Sequence, residues 1–265
     1  MARILHQHLF SWDQVDRSSD LFRLQMVLDH LPDEEIVSAL EDQRGNGRNT
    51  YPVRATWNAL LAGIVFQHRS IESLLRELRR NGELRETCGF NPALGTAAVP
   101  PSWAMSRFVG NVIDNESRIH KMFDDMVKTL STLLPDLGKH LAFDGKELPS
   151  YSTGQNSSNN GQTSDPDADW GKKTYRGADK NGKPWDKIKR WFGYQRRTAV
   201  ERVNARLDQG YGFEDHTIRG LAKMQARVGL ALAVMLAMAV GFISAGKPEL
   251  ARSLVLNVRK RSRAA

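Results

Sequence analysis

Two acidic residues stand out by their setting. Asp144 lies in HLAFDGKELPSY, residues 140–151, where a short apolar run delivers one carboxylate onto a Gly–Lys turn and Pro149 breaks the segment. Glu201 lies in RRTAVERVNARLDQG, one helical turn after Arg197. Carboxylates placed by defined elements do acid–base and cation-binding work; the plainer reading of Glu201 is a surface ion pair with Arg197. A further acidic group, Asp165, Asp167 and Asp169 around Pro166, sits in a stretch dense in Ser, Asn and Gly. It lacks the glycine and the distal glutamate of a calcium loop, so it reads as a flexible acidic loop.

The sign of the charge then flips. From Lys172 to Arg202 the chain carries Lys172, Lys173, Arg176, Lys180, Lys183, Lys187, Lys189, Arg190, Arg196, Arg197 and Arg202, interleaved with Tyr175, Trp185, Trp191, Phe192 and Tyr194. Cations among aromatics suit phosphate contact with base stacking, and a merely solvated basic surface is the alternative. A second set, Trp103, Ser106 and Arg107, falls on the outward face of a helix over 102–113. With the helix over 70–80 it could make a loose helix-turn-helix, against ordinary helix packing with Arg76, Arg79 and Arg80 solvated. The net charge of +8 and a pI of about 9.7 favour polyanionic partners, nucleic acid first. One cysteine, Cys88, excludes an internal disulfide framework and a Cys-based zinc site, and suits a reducing cytoplasm. His6 and His8 read as an exposed tail. MARILHQHLFSWD shows no secretory pattern, and a cytoplasmic location is expected.

The elements that would position these residues are mostly helical. In LFRLQMVLDHL, Leu21, Leu24, Gln25 and Leu28 share a stripe that Pro32 ends. DEEIVSALED follows with acids in its first turn, then the loop QRGNGRNT. Pro52 opens PVRATWNALLAGIVFQH, and Ser70 starts SIESLLRELRRN. After ELRETCGF and the turn-rich NPALGTAAVPP, Ser102 is the expected N-cap of SWAMSRFVGNVID. The clearest periodicity lies in 116–134, where Ile119, Met122, Phe123, Met126, Val127, Leu130 and Leu133 form one apolar face. The run 140–143 and KRWFGYQ (189–195) read as short strands. The helix that follows places Val200, Val203 and Leu207 inward. VGLALAVMLAMAVGFISA, 228–245, is uncharged for the length of a membrane helix, and reads as a core helix buried on all sides.

LAFDGKELPSYS, DADWGKKTYRG, WFGYQ and RRTAVERVNARLDQGYGFEDHTIRGLAKMQARVGLALAVMLAMAVG together resemble the DDE-type transposases of bacterial insertion sequences. YPVRATWNALLAGIVFQHRSIESLLRELRRNGELRETCGF resembles the helical N-terminal domain of the same proteins, so the likeness spans roughly Leu21 to Gly246. It implies an RNase H-like α/β fold in which two Asp and one Glu hold two Mg²⁺ or Mn²⁺ ions for phosphoryl transfer. By motif, Asp144 is the first acid and Glu201 the third, and these two would be the catalytic and metal-binding residues. Tyr194, Arg197 and Glu201 match the family's Tyr-x2-Arg-x3-Glu signature, whose Arg places the DNA backbone. Asp208 stands where the family often carries a Lys.

The middle acid of the resemblance is absent. WFGYQ, similar to the second strand, joins directly to the Glu-bearing helix, and none of Asp165, Asp167, Asp169, Asp179 or Asp186 follows a strand. The resemblance therefore implies an internally deleted transposase. The expected fold is mostly α with a small β remnant: a tail at 1–20, a helical domain at 21–135, a truncated RNase H-like domain at 136–246 with a polar loop at 151–184, and a basic tail at 247–265. Expected DNA-contacting residues are Tyr194, Arg196, Arg197, Arg202, Lys172, Lys173 and Arg107. The expected partners are the DNA of the element's ends and a homo-oligomer or a mixed oligomer with an intact transposase, with no membrane. Weak metal binding and impaired cleavage follow from two carboxylates in place of three. The alternatives are an active metal-dependent nuclease using a loop Asp, and a membrane-associated basic protein.

Overall fold

The structure is a computed structural model that describes residues 19–46, 50–137, 203–213 and 216–252. Among these the chain is mostly helical and contains no strand. The two runs read as strands, 140–143 and 189–195, lie outside the described residues, as does the loop at 151–184.

Local chemistry sets the helix boundaries. α1 (Ser19–His30) ends just before Leu31–Pro32, because the residue before proline is pushed out of the helical region. Its buried stripe is Leu21, Leu24 and Val27, with Met26 at the edge; Gln25 and Leu28 are only half-buried and Phe22 is exposed. α2 (Glu34–Arg44) carries Glu34 and Glu35 in its first turn and closes at Gly45 with φ of 59°. α3 (Val53–Val65) follows Pro52 and stops short of His68, with Gln67 at a φ of 59°. α4 (Ile71–Arg80) begins with a reciprocal cap: the Ser73 N–H donates to Ser70 Oγ at 3.2 Å, and the Ser70 N–H to Ser73 Oγ at 3.3 Å. The Asn81 side chain caps α5 (Gly82–Cys88) through the Leu84 N–H, and 3₁₀ turns over Pro92–Ala98 lead to Pro101. Here Ser102 is not the N-cap: Pro101 occupies that position without a side-chain cap, and Ser102 is the first residue of α6 (Ser102–Ile113).

α7 (Glu116–Leu133) buries Ile119, Met122, Met126 and Leu130, while Leu133 at the end of the expected face is exposed. After residue 202 the chain re-enters as a helical segment that widens to π geometry over Arg206–Gly210 and buries Leu207, Tyr211 and Phe213. α8 (Leu221–Ser244) closes the bundle. It packs along α7 and α1 and touches α3 and α6, and the 3₁₀ turn Pro248–Arg252 folds back on it. From Ala226 to Ile243 no residue of α8 is exposed. It is long and apolar enough to cross a membrane, and in this structure it is the central core helix. Residues before 137 and after 203 therefore share one core.

Close helix approach depends on two glycines of α8. A Cβ on Gly241 would lie 2.3 Å from Met26 Cγ of α1, and one on Gly229 would lie 3.0 Å from Ile119 Cγ2 of α7. A polar node fixes the turn between α1 and α2 to α3. Buried Asp33 accepts from Arg54 Nη1 at 2.6 Å and from the indole N–H of fully buried Trp57. Arg54 Nη2 also pairs with Glu34 at 2.8 Å. A buried carboxylate needs such donors because its desolvation is otherwise uncompensated.

Candidate nucleic-acid interface

α6 has one inward and one outward face. Met105 and Val112 are buried, whereas Trp103, Ser106 and Arg107 are exposed, at the i, i+3, i+4 spacing that shares a helix face. Trp103 is 63% exposed, and the Arg107 guanidinium sits 5.2 Å from the centre of its indole ring. That geometry pre-positions a cation on an aromatic plate.

α4 packs against α6, with Leu74, Leu75 and Leu78 inward and Arg76, Arg79 and Arg80 outward; Arg80 pairs with Glu77 at 2.6 Å. The two helices are joined through α5 and the 3₁₀ turns, not by the three- or four-residue turn of a helix-turn-helix. Their contact survives; the tight motif does not.

Beside α6 a cleft of about 440 Å³ opens between the end of α3, the start of α4, the strap 216–219 and the first turns of α8. Thr217 Oγ1 donates to the Arg69 carbonyl at 3.2 Å and ties the strap to the α3–α4 turn. Arg227 Nη2 reaches the carbonyls of His68 and Tyr211, each at 3.4 Å. Burial draws the Arg227 guanidinium down to about 10, so it stays charged at neutral pH. Burial also holds His68 below the ordinary imidazole range; Glu77 opposes that shift and Arg227 and Arg80 reinforce it. Its Nε2 is buried without a hydrogen bond among the described residues, and its ring stacks on Phe66 with centroids 6.4 Å apart. Sequence periodicity missed this cleft, because its walls come from segments far apart in the chain. The one signal was the cluster HTIRGLAK, whose cations precede an apolar run.

Of the residues expected to contact DNA or metal, Arg107 alone is among those described. Asp144, Glu201, Tyr194, Arg196, Arg197, Arg202, Lys172 and Lys173 lie outside them. Among the described residues no group of three or more His, Cys, Asp or Glu is placed to hold a metal ion. Cys88 is fully buried, and burial pushes its thiol far up, so it is no nucleophile.

Residues 11–111 match the family described as Transposase domain (DUF772), a span that runs from before α1 to within α6 and includes Trp103, Ser106 and Arg107. The match supports a transposase family for this chain. No curated protein and no solved structure matches it.

Proposed function

We propose that this transposase-family protein binds DNA through the exposed face of α6, and that its capacity to cut DNA is impaired. The observation that carries the binding half is the Trp103–Arg107 pair beside Ser106, exposed on a helix inside the transposase-domain match. An arginine held over an indole offers a phosphate contact and a stacking surface together, and the net charge of +8 favours the polyanion. Tyr194, Arg196, Arg197, Arg202, Lys172 and Lys173 extend the basic surface on the same reading. The cytoplasm is the compartment it implies.

The catalytic half rests on the resemblance to DDE-type enzymes with an RNase H-like domain. Asp144 and Glu201 would hold Mg²⁺ or Mn²⁺, which supplies charge neutralisation and water activation in such sites. Two carboxylates compensate the charge of such ions poorly, which is the reason for impaired cleavage. A chain that binds element ends without cutting them, alone or in mixed oligomers with an intact transposase, would act as an inhibitor of transposition.

Binding is tested by fluorescence anisotropy of a labelled duplex against the full chain at several salt concentrations. Arg107→Ala should weaken binding across sequences and reduce the salt slope by about 1. Absence of salt-dependent binding would remove the reading. Cleavage is tested on DNA carrying the element's ends with Mg²⁺ or Mn²⁺. Metal-dependent nicking that Asp144→Ala abolishes would show a complete site, and its further loss in Asp167→Ala would make the loop aspartate the third acid.

A further inference from the structure

α8 reaches the bundle from the far side of residues 138–202, and the elements before residue 137 form the groove that receives it. α1 and α7 line that groove along its length, and α3 and α6 touch the helix from below. The fit is close. Met26 and His30 of α1 stand 2.3 and 3.3 Å from where a Cβ on Gly241 would lie, and Ile119 of α7 stands 3.0 Å from one on Gly229. The run 228–245 carries no charge, and Leu230, Val234, Ala237 and Met238 are buried in the groove. An undocked α8 and an empty groove would each present this apolar surface to water, so each must find a partner. Shape and apolar surface make the seat, and both are the same in every copy of the chain.

Chain order keeps the groove open for a time. α7 is complete at residue 133 and α8 begins at residue 221. At about 5–20 residues per second, synthesis takes roughly 5–20 s to cross that interval. Helix formation and collapse are over within about 100 µs. The elements before residue 137 therefore collapse well before their own α8 exists, and an α8 released by another copy fits them equally well. A single covalent connection ties α8 to its own groove, with no disulfide to add a second, since the one cysteine, Cys88, is buried and free. Docking within one chain is favoured only by the effective concentration that this connection confers, which falls roughly as the −3/2 power of its length.

We propose that the α8 groove is an interaction surface between copies of this chain: α8 of one copy seats in the groove of a second, which returns its own, giving a helix-swapped dimer. Because α8 also touches α6, the face bearing Trp103, Ser106 and Arg107 is then held by the second copy's helix. The same exchange with an intact transposase that carries this helix would produce the mixed oligomer. That consequence rests on the proposed DNA-binding function; the exchange itself does not.

The test uses two full-length chains, one with Met26→Cys and the other with Gly241→Cys, separately tagged and co-expressed. Met26 Cγ lies 2.3 Å from a Cβ at 241, so the Cβ atoms of the two positions fall within about 4 Å of each other, the reach of a disulfide. Neither chain can form this bond alone, and buried Cys88 does not compete. The expected result after oxidation is a covalent heterodimer at twice the chain mass on a non-reducing gel, found in the co-expressed pair and in neither chain expressed alone. A chain carrying both Met26→Cys and Gly241→Cys should close the bond within one chain and between two. If it closes the bond only within one chain and the pair gives no covalent heterodimer, α8 docks only in its own groove and the inference is overturned. No disulfide in that chain at all would overturn it as well, because α1 and α8 would then not meet. Should Gly241→Cys fail to fold by itself, its recovery in the pair is the swapped product, since Met26→Cys provides the room that its own Met26 denies. Ile119→Cys with Gly229→Cys repeats the comparison where α8 meets α7. DNA binding does not enter this readout, so failure of the DNA-binding function leaves the result standing.

Discussion

α7 and α8 are the two longest described helices, and they bury themselves in opposite ways. α7 has 18 residues and one apolar stripe, with Lys121, Lys128 and Thr129 on the far side. α8 has 24 residues and no exposed residue between Ala226 and Ile243. An amphipathic helix declares its inner face, because apolar side chains recur at the helical period. A helix apolar all round declares only that it avoids water. Packing against α7, α1, α3 and α6 is what makes α8 a core helix here. Its small residues, Ala231, Ala233, Ala237 and Gly241, let several neighbours come close at once, which Leu in every position would prevent.

The sharpest way to break this comparison is a charge in the middle of α8, set beside truncations on α7. Val234 is fully buried, and Val234→Asp should cost about 5 kcal/mol or more, enough to abolish cooperative unfolding in urea followed by circular dichroism. A folded Val234→Asp chain would show that α8 is not the centre of this bundle. On α7 the outcome should depend on the face: Leu130→Ala should lose about 2–4 kcal/mol, while Leu133→Ala, at 39% exposure, should change stability by less than about 0.5 kcal/mol.

Gly241→Ala tests the close approach of α1 and α8. In an open helix the change gains about 1 kcal/mol of helix propensity; against Met26 it should instead lose about 1–3 kcal/mol. Met26→Ala in the same chain should recover part of the loss by making room. A stabilising Gly241→Ala would mean that the two helices lie further apart.

The smallest expected effect is on pH dependence, at the joint where the His68 carbonyl receives Arg227 of α8. Because burial lowers the His68 pKa in the folded chain, the unfolded chain takes up the proton first as pH falls through the ordinary histidine range. Stability should therefore decline between pH 7 and pH 5. His68→Gln should flatten part of that decline in thermal melts, and an unchanged slope would show that other groups carry it.

How much was legible in the sequence differs from element to element. The helices at 34–44, 71–80 and 116–133 followed from acids in a first turn, a serine cap and one unbroken periodicity, all of which act within a few residues. The outward placing of Trp103, Ser106 and Arg107 followed from the same period. The N-cap at Ser102 did not, because proline at 101 already holds the extended backbone that a cap requires. Asp33 gave no sign of being buried: its partners Arg54 and Trp57 lie on the next helix but one, and only folding brings them to it.

The sequence by itself determined that the described chain is helical, where most helices begin and end, and which residues of α6 face water. These are consequences of backbone propensity and of periodicity, which operate over one or two turns. The tertiary structure alone decided that α8 returns to pack between α1 and α7, that Gly241 meets Met26, and that a cation-rimmed cleft opens beside α6. Each of those depends on contacts between residues distant in the chain, and the free energy of such contacts comes from shared burial that no local pattern encodes.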